Sequence, residues 1–277
     1  MAASDFARPR FAAPAGACDT HMHFYSPKFP MVPGKTAPAN AWVEDYREVQ
    51  KVLGLTRVVA IQPTAYGRDN SCQLAAMAAF GANARGVMVV DETTPESELD
   101  RLNGLGVRGA RFHMLPGGAV PWQIIEEVAA RVHAFGWHIQ LQLNGRELPE
   151  REALLKRLPG TLVVDHVGRF TPPVTVDDPA FKVLLRLLEG GRCWVKLSAP
   201  YESSATGAPA FEDVRPEARH LAKAYPQRML WASNWPHPGQ ANPLAHAATM
   251  DLLAEWVDDE KTRQRILVDN PAELYGF

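Results

Sequence analysis

Histidine carries most of the chemistry this sequence offers. His21 and His23 stand two residues apart in Cys18-Asp19-Thr20-His21-Met22-His23-Phe24. In an extended strand the side chains alternate faces, so Asp19, His21 and His23 share one side and Thr20, Met22 and Phe24 the other. Two imidazoles on one face are expensive to bury without purpose. Each ring needs hydrogen-bond partners, and each charges easily near neutral pH. A third imidazole, His166, follows the apolar run Leu162-Val163-Val164 and Asp165, with Gly168 close behind. Arg111 sits among small and apolar neighbours, and its guanidinium stays charged. Such a group needs an anion: either an internal carboxylate or the carboxylate of a substrate gripped bidentately.

Other polar residues fall at the ends of apolar runs: Gln62, Gln142 and Asn144, Arg169, Tyr201 with Glu202, and Asn234 followed by Pro236-His237. His113 and His237 are open between structural and functional roles. His133 and His220 fall in helical stretches, His246 lies near a helix start, and His138 opens a strand at the opposite rim, so these four read as structural or solvent-facing.

His-x-His with a third histidine is a set able to bind one divalent metal, at His21, His23 and His166. A catalytic zinc site usually adds a carboxylate or a nearby acid or base. This chain supplies Gln142 and Asn144 at one expected strand end and Asn234 at another, and a neutral amide neither offsets metal charge nor takes a proton from water. The expectation is therefore a site without metal.

The elements that must position these groups alternate regularly. The first strand runs from Cys18 to Phe24. A Pro- and Gly-rich loop, Ser26 to Asn40, follows it and leads to a helix, Trp42 to Leu53, closed by Gly54. Further strands are expected at 57–63, 86–91, 109–115, 139–144, 162–166, 193–198 and 229–235, each preceded by a helical stretch. The last helices are expected near 244–256 and 260–268. Eight strand-helix units predict an α/β fold, a (β/α)8 TIM-type barrel of one domain over residues 1–277, with residues 1–16 as a flexible lead-in. In such a barrel the C-terminal ends of the strands carry the active site, and the polar residues named above fall there.

Composition limits the partners. The 277 residues are 46% hydrophobic and 22% charged, with net charge -2, enough for one large core and no basic stripe for nucleic acid. No apolar run reaches the ~18 residues of a membrane span, and no secretory h-region is visible. Cys18, Cys72 and Cys193 are odd in number and widely spaced, and two fall in expected strands, which points to reduced core thiols and a cytoplasmic protein. Oligomeric state is not readable from the sequence.

Four motifs in this order resemble the amidohydrolase superfamily: Asp19-Thr20-His21-Met22-His23, Asp165-His166, Trp231-Ala232-Ser233-Asn234-Trp235-Pro236-His237, and Asp269-Asn270-Pro271-Ala272-Glu273-Leu274-Tyr275. They are most similar to its branch of lactone-processing enzymes related to 2-pyrone-4,6-dicarboxylate lactonase. The resemblance covers nearly the whole chain. It implies a metal-free barrel in which His21, His23 and His166 act on a lactone, and Gln62, Arg111, Gln142, Arg169, Tyr201 and Glu202 bind it. The lactonases of the branch place an aspartate base at the position of Asn234. This departure, with Leu115-Pro116-Gly117-Gly118-Ala119-Val120 and Tyr201-Glu202-Ser203-Ser204, is similar instead to members of the branch that isomerise sugar-acid lactones. Glu202 falls near an expected carboxylate-binding arginine, which argues against a planar dicarboxylate. The implied reaction is conversion of a D-galactaro-1,5-lactone type substrate to its 1,4-lactone in aldaric acid catabolism, with lactone hydrolysis or metal-dependent amidohydrolase chemistry as the alternatives.

Overall fold

The structure, a computed structural model, describes residues 7–39 and 41–277. Residues 1–6 of the expected lead-in and Asn40 of the first loop lie outside them. Eight parallel strands form one sheet in sequential order: β1 (Cys18–Met22), β2 (Arg57–Ile61), β3 (Ala84–Met88), β4 (Val107–His113), β5 (His138–Gln142), β6 (Leu162–Val164), β7 (Cys193–Leu197) and β8 (Met229–Trp231). The sheet closes where Asn234 N donates to His21 O at 2.9 Å and His23 N donates to Trp235 O at 2.8 Å. The helices between strands are α1 (Val43–Leu53), α2 (Ser71–Phe80), α3 (Glu96–Gly104), α4 (Ile125–His133), α5 (Leu148–Arg157), α6 (Pro179–Glu189) and α7 (Arg215–Ala224). Three more follow β8: α8 (His246–Trp256), α9 (Glu260–Gln264) and α10 (Asn270–Tyr275). The expected (β/α)8 barrel is the architecture found.

Alternation along the strands sorts the core into two layers. Val58 and Ala60 of β2, and Ile139 and Leu141 of β5, join the large apolar layer under the helices. Cys18, Val59, Val87, Val163, Trp194 and Leu230 turn inward and pack with Tyr275, which fills the lower barrel from α10. His138 also lies at this end, its ring 5.4 Å from that of Tyr275. Gly109 on the neighbouring strand makes room for it, since a Cβ there would lie 2.5 Å from His138 Nε2. Above the apolar layer the buried side chains become polar: His21, Gln140, Asp165 and Lys196.

Two expectations are corrected. Several strands stop early: β1 at Met22 and β8 at Trp231. Asn234 takes a left-handed φ of 58°, which a strand cannot accommodate. The last helical stretch does not end near Val268. It passes through one wide turn, Arg265–Asp269, into α10. At the N-terminal side, Arg10 pairs with Asp251 and Glu255 of α8, and Phe11 packs on the core.

Candidate active site

The C-terminal ends of the strands surround a cleft of about 400 Å³. His23, Arg111, His113, Gln142, His166, Arg169, Glu202 and Asn234 line it, together with Tyr25 and residues of the loops after β2, β4 and β8. Of the residues singled out in the sequence, His23, His166, Asn234, Arg111, Gln142, Arg169 and Glu202 are thus brought together. His21, Gln62 and Tyr201 are not on its wall.

Arg111 leans inward from β4 and is 4% exposed. It donates to the Gln62 backbone carbonyl and, at 2.6 Å, to Gln142 Oε1. Both partners are neutral, so among the described residues no carboxylate forms an ion pair with this guanidinium, and its Nε has no partner. Gln62 serves through its carbonyl; its side-chain amide turns away to Gly67 O and Asp69 O. Gln142 Oε1 also meets His113 Nδ1 at 3.1 Å, which ties His113 to the wall. Arg169, in contrast, is paired: its Nε lies 3.2 Å from Glu202 Oε2.

The histidines stack in depth. His23 Nδ1 lies 2.8 Å from Ile61 O, and a carbonyl only accepts, so Nδ1 carries the proton. Its Nε2 lies 3.3 Å from Nε2 of His21, which is fully buried behind it. His166 touches His21 with ring centroids 4.9 Å apart, and its Nδ1 lies 2.9 Å from Ser198 Oγ. His166 itself has a φ of 55°, followed by Val167 at 55° and Gly168 at 82°. A Cβ at Gly168 would come within 2.4 Å of Phe170, so only glycine fits this turn. Burial and the neighbouring cations push the rings toward neutrality. Burial, then Lys196, holds His21 well below its usual range. Burial and Arg111 bring His23 down to about 3 and His113 down to about 4.

Sequence reasoning missed the group beneath these rings. Lys196 of β7 is fully buried. Its Nζ donates to Thr20 O at 2.8 Å and Gln140 Oε1 at 2.7 Å, and lies 3.4 Å from His21 Nδ1 and 3.6 Å from Asp165 Oδ1. Burial outweighs the attraction of Asp165 and lowers its pKa to about 8. The signal was a lone lysine inside the apolar run Cys193-Trp194-Val195-Lys196-Leu197, at an inward position. Asp19 is corrected as well. The register of β1 against β2 shifts between Asp19 and Met22, and Asp19 is held by Tyr46 Oη at 2.9 Å, by Ser233 Oγ and by Ser233 N at 3.0 Å. It does not join the histidine cluster.

His21, Asp165 and His166 form a cluster with ligand atoms within 4.8 Å of one another. Asp165 thus stands where His23 was expected in a metal set. The cluster brings one carboxylate, and the Lys196 ammonium already neutralises it, while Gln140 Nε2 donates to its other oxygen at 3.1 Å. Two histidines and one carboxylate are a set able to hold a divalent ion, but here the Lys196 ammonium stands beside that carboxylate, and an ion would have to displace it in a buried site that also holds Arg111.

Asn234 turns its Nδ2 to Tyr201 Oη at 3.0 Å, and that hydroxyl lies 2.8 Å from His237 Nδ1. Asn234 Oδ1 has no partner among the described residues.

Residues 18–277 match the family model described as amidohydrolase. A D-galactarolactone isomerase of Agrobacterium fabrum is 37% identical, over 96% of this chain and 93% of that protein. A 2-pyrone-4,6-dicarboxylate hydrolase of Comamonas testosteroni is 34% identical, over 97% of this chain and 92% of its own length. An apo crystal structure from Agrobacterium tumefaciens superposes with a TM-score of 0.92 at 37% identity, covering 97% of this chain and 98% of that one.

Proposed function

Since the chain belongs to the amidohydrolase family, we propose that it isomerises a sugar-acid lactone without a metal, converting a 1,5-lactone of the D-galactaro type to the 1,4-lactone. The observation that carries this reading is the absence of a free base. Among the described residues lining the cleft, Glu202 is the one carboxylate, and it is paired with Arg169. The imidazoles beside it are held neutral and weakly basic by burial and by Arg111. Activating water in such a site is hard. Isomerisation avoids it, because the nucleophile is the substrate's own hydroxyl, already beside the carbonyl, and intramolecularity supplies several kcal/mol of the barrier.

The charges also define the substrate. With Arg169 neutralised by Glu202, Arg111 is the guanidinium left for an anion, which fits a lactone bearing one free carboxylate. In the reaction the attacking hydroxyl oxygen bonds to the acyl carbon, the bond from that carbon to the ring oxygen breaks, and one proton passes from the attacking to the departing oxygen. No water is consumed. His166, which lines the cleft, relays that proton and donates to the oxyanion, while His23, whose one proton is held on Nδ1 by Ile61 O, offers only its Nε2 lone pair, with His21 behind it. Asn234 orients the hydroxyl and cannot act as a base. The three buried free thiols accord with a reducing compartment such as the cytoplasm.

Proton NMR of D-galactaro-1,5-lactone with metal-analysed protein tests the reading. The 1,4-lactone should appear before the free acid, and excess chelator should leave the rate unchanged. Free acid as first product would establish lactone hydrolysis instead, with His23 or His166 as base. Activity lost to chelator and restored by zinc or manganese would overturn the metal-free claim.

A further inference from the structure

Tyr201 has one hydroxyl proton and two polar neighbours. Asn234 Nδ2 lies 3.0 Å and His237 Nδ1 2.8 Å from its oxygen. An amide nitrogen with hydrogens can only donate, so with Nδ2 on this side the Tyr201 O–H goes to His237 Nδ1. His237 is 3% exposed and neutral, burial having brought its pKa down to about 3. Its one proton then sits on Nε2. The reverse order is equally complete: Nδ1–H donates to Tyr201, Tyr201 donates to Asn234 Oδ1, and the amide is flipped. Either order leaves Nε2 without a protein partner among the described residues. The tautomer of His237 therefore selects which end of the Asn234 amide is left without a protein partner beside the cleft that Asn234 lines.

The backbone fixes the three groups against one another. Asn234 and His237 both take left-handed conformations, φ 58° and 61°. His237 N donates to Asn234 O at 2.8 Å, closing the turn between them. Tyr201 sits in a short helical turn, Pro200–Glu202, after β7.

Resting on the isomerase reading above, we propose that His237, acting through Tyr201, is a positioning residue that keeps Asn234 Oδ1 toward the substrate. The chemical consequence is specific. A substrate hydroxyl that donates to Oδ1 keeps a lone pair free to attack the acyl carbon. Against a flipped amide the same hydroxyl must accept from Nδ2, which engages one of its two lone pairs, lowers its nucleophilicity and leaves its own proton unheld. The amide orientation thus favours acyl transfer to the sugar hydroxyl over transfer to water.

Two measurements test this. First, the ring nitrogen shifts of His237, read by 15N NMR in the ligand-free protein, should report the Nε2–H tautomer; an Nδ1–H tautomer overturns the proposal. Second, Tyr201→Phe and His237→Leu should each lower kcat about tenfold, the weight of one hydrogen bond, with little change in KM, and should raise the share of open acid. The double variant should be no worse than either single one, because the groups form one chain. His237→Asn, which keeps an acceptor near the place of Nδ1, should hold kcat closer to wild type than His237→Leu. A wild-type product ratio in folded Tyr201→Phe overturns the proposal. The tautomer is read without substrate, so it decides the orientation claim even where the product assay overturns the isomerase reading.

Discussion

Lowering the pH from 7 to 5 should remove most of this protein's stability. His21, His23, His138, His166 and His237 are all buried, and burial holds each below its ordinary value, His23, His138 and His237 down to about 3. Each imidazole is neutral in the native state and takes a proton only on unfolding, from about pH 6.5 downward. The unfolded state therefore binds more protons, and stability falls as pH falls, until the native rings themselves protonate, near 3 for His23, His138 and His237. Between pH 7 and 5 each such group removes just under ~2 kcal/mol, and the five together ~9 kcal/mol. Two carboxyls raised by burial, Asp19 and Glu217, oppose them. Burial raises the Glu217 carboxyl to about 7, so native Glu217 binds its proton before the unfolded chain does and returns about 2 kcal/mol over the same range. The net loss from the five rings and Glu217, about 7 kcal/mol, rivals the whole stability of a typical domain, about 5–15 kcal/mol. Urea unfolding followed by tryptophan fluorescence at pH 7, 6 and 5 measures it. His138→Leu, at the opposite end of the barrel from the cleft, should shrink the pH 7 to 5 difference by about 2 kcal/mol, whatever its effect at pH 7. A total loss below about 2 kcal/mol, the share of one imidazole, would refute the claim that these rings are buried neutral.

Other perturbations bear on single groups. Asn234→Asp restores a carboxylate at the mouth of β8 and should add free acid to the products; isomerised lactone alone would undo the account of why this site does not activate water. Arg111→Met should raise KM for a carboxylate-bearing lactone by about ten- to a hundredfold, the weight of a charged hydrogen bond, and leave an uncharged lactone analogue unaffected. His166→Ala should abolish turnover while the circular dichroism spectrum stays unchanged; retained turnover removes His166 from the mechanism. Lys196→Met should cost about 3–5 kcal/mol in urea unfolding because it strands the Asp165 carboxylate, and adding Asp165→Asn should recover part of that loss. Equal stability of Lys196→Met and wild type would mean that the ammonium does not hold that carboxylate.

How much the sequence determined follows from which signals are local. Strand-helix alternation depends on the period of apolar residues, so the barrel was legible, and with it the rim to which His23, Arg111, His166 and Asn234 belong. Gly54 was legible as a helix end because a left-handed C-cap needs only its neighbours, and it takes φ 72°. Depth was not legible. His21 and His23 are equivalent in the sequence, yet one lies behind the other, because a register shift in β1 and closure onto the segment after β8 decide where each ring points. Lys196 was not legible as a site residue, since its ammonium gains meaning only from Thr20 of β1, Gln140 of β5 and Asp165 just after β6. Glu202 and Arg169 neutralise one another across 33 positions of chain, and Tyr201 meets Asn234 across the same separation. Residue types and their spacing set which chemistry was available. Which charge stays unpaired, which ring meets the cleft and which end of an amide is left without a partner are set by contacts between distant strands, and these exist only once the barrel has closed.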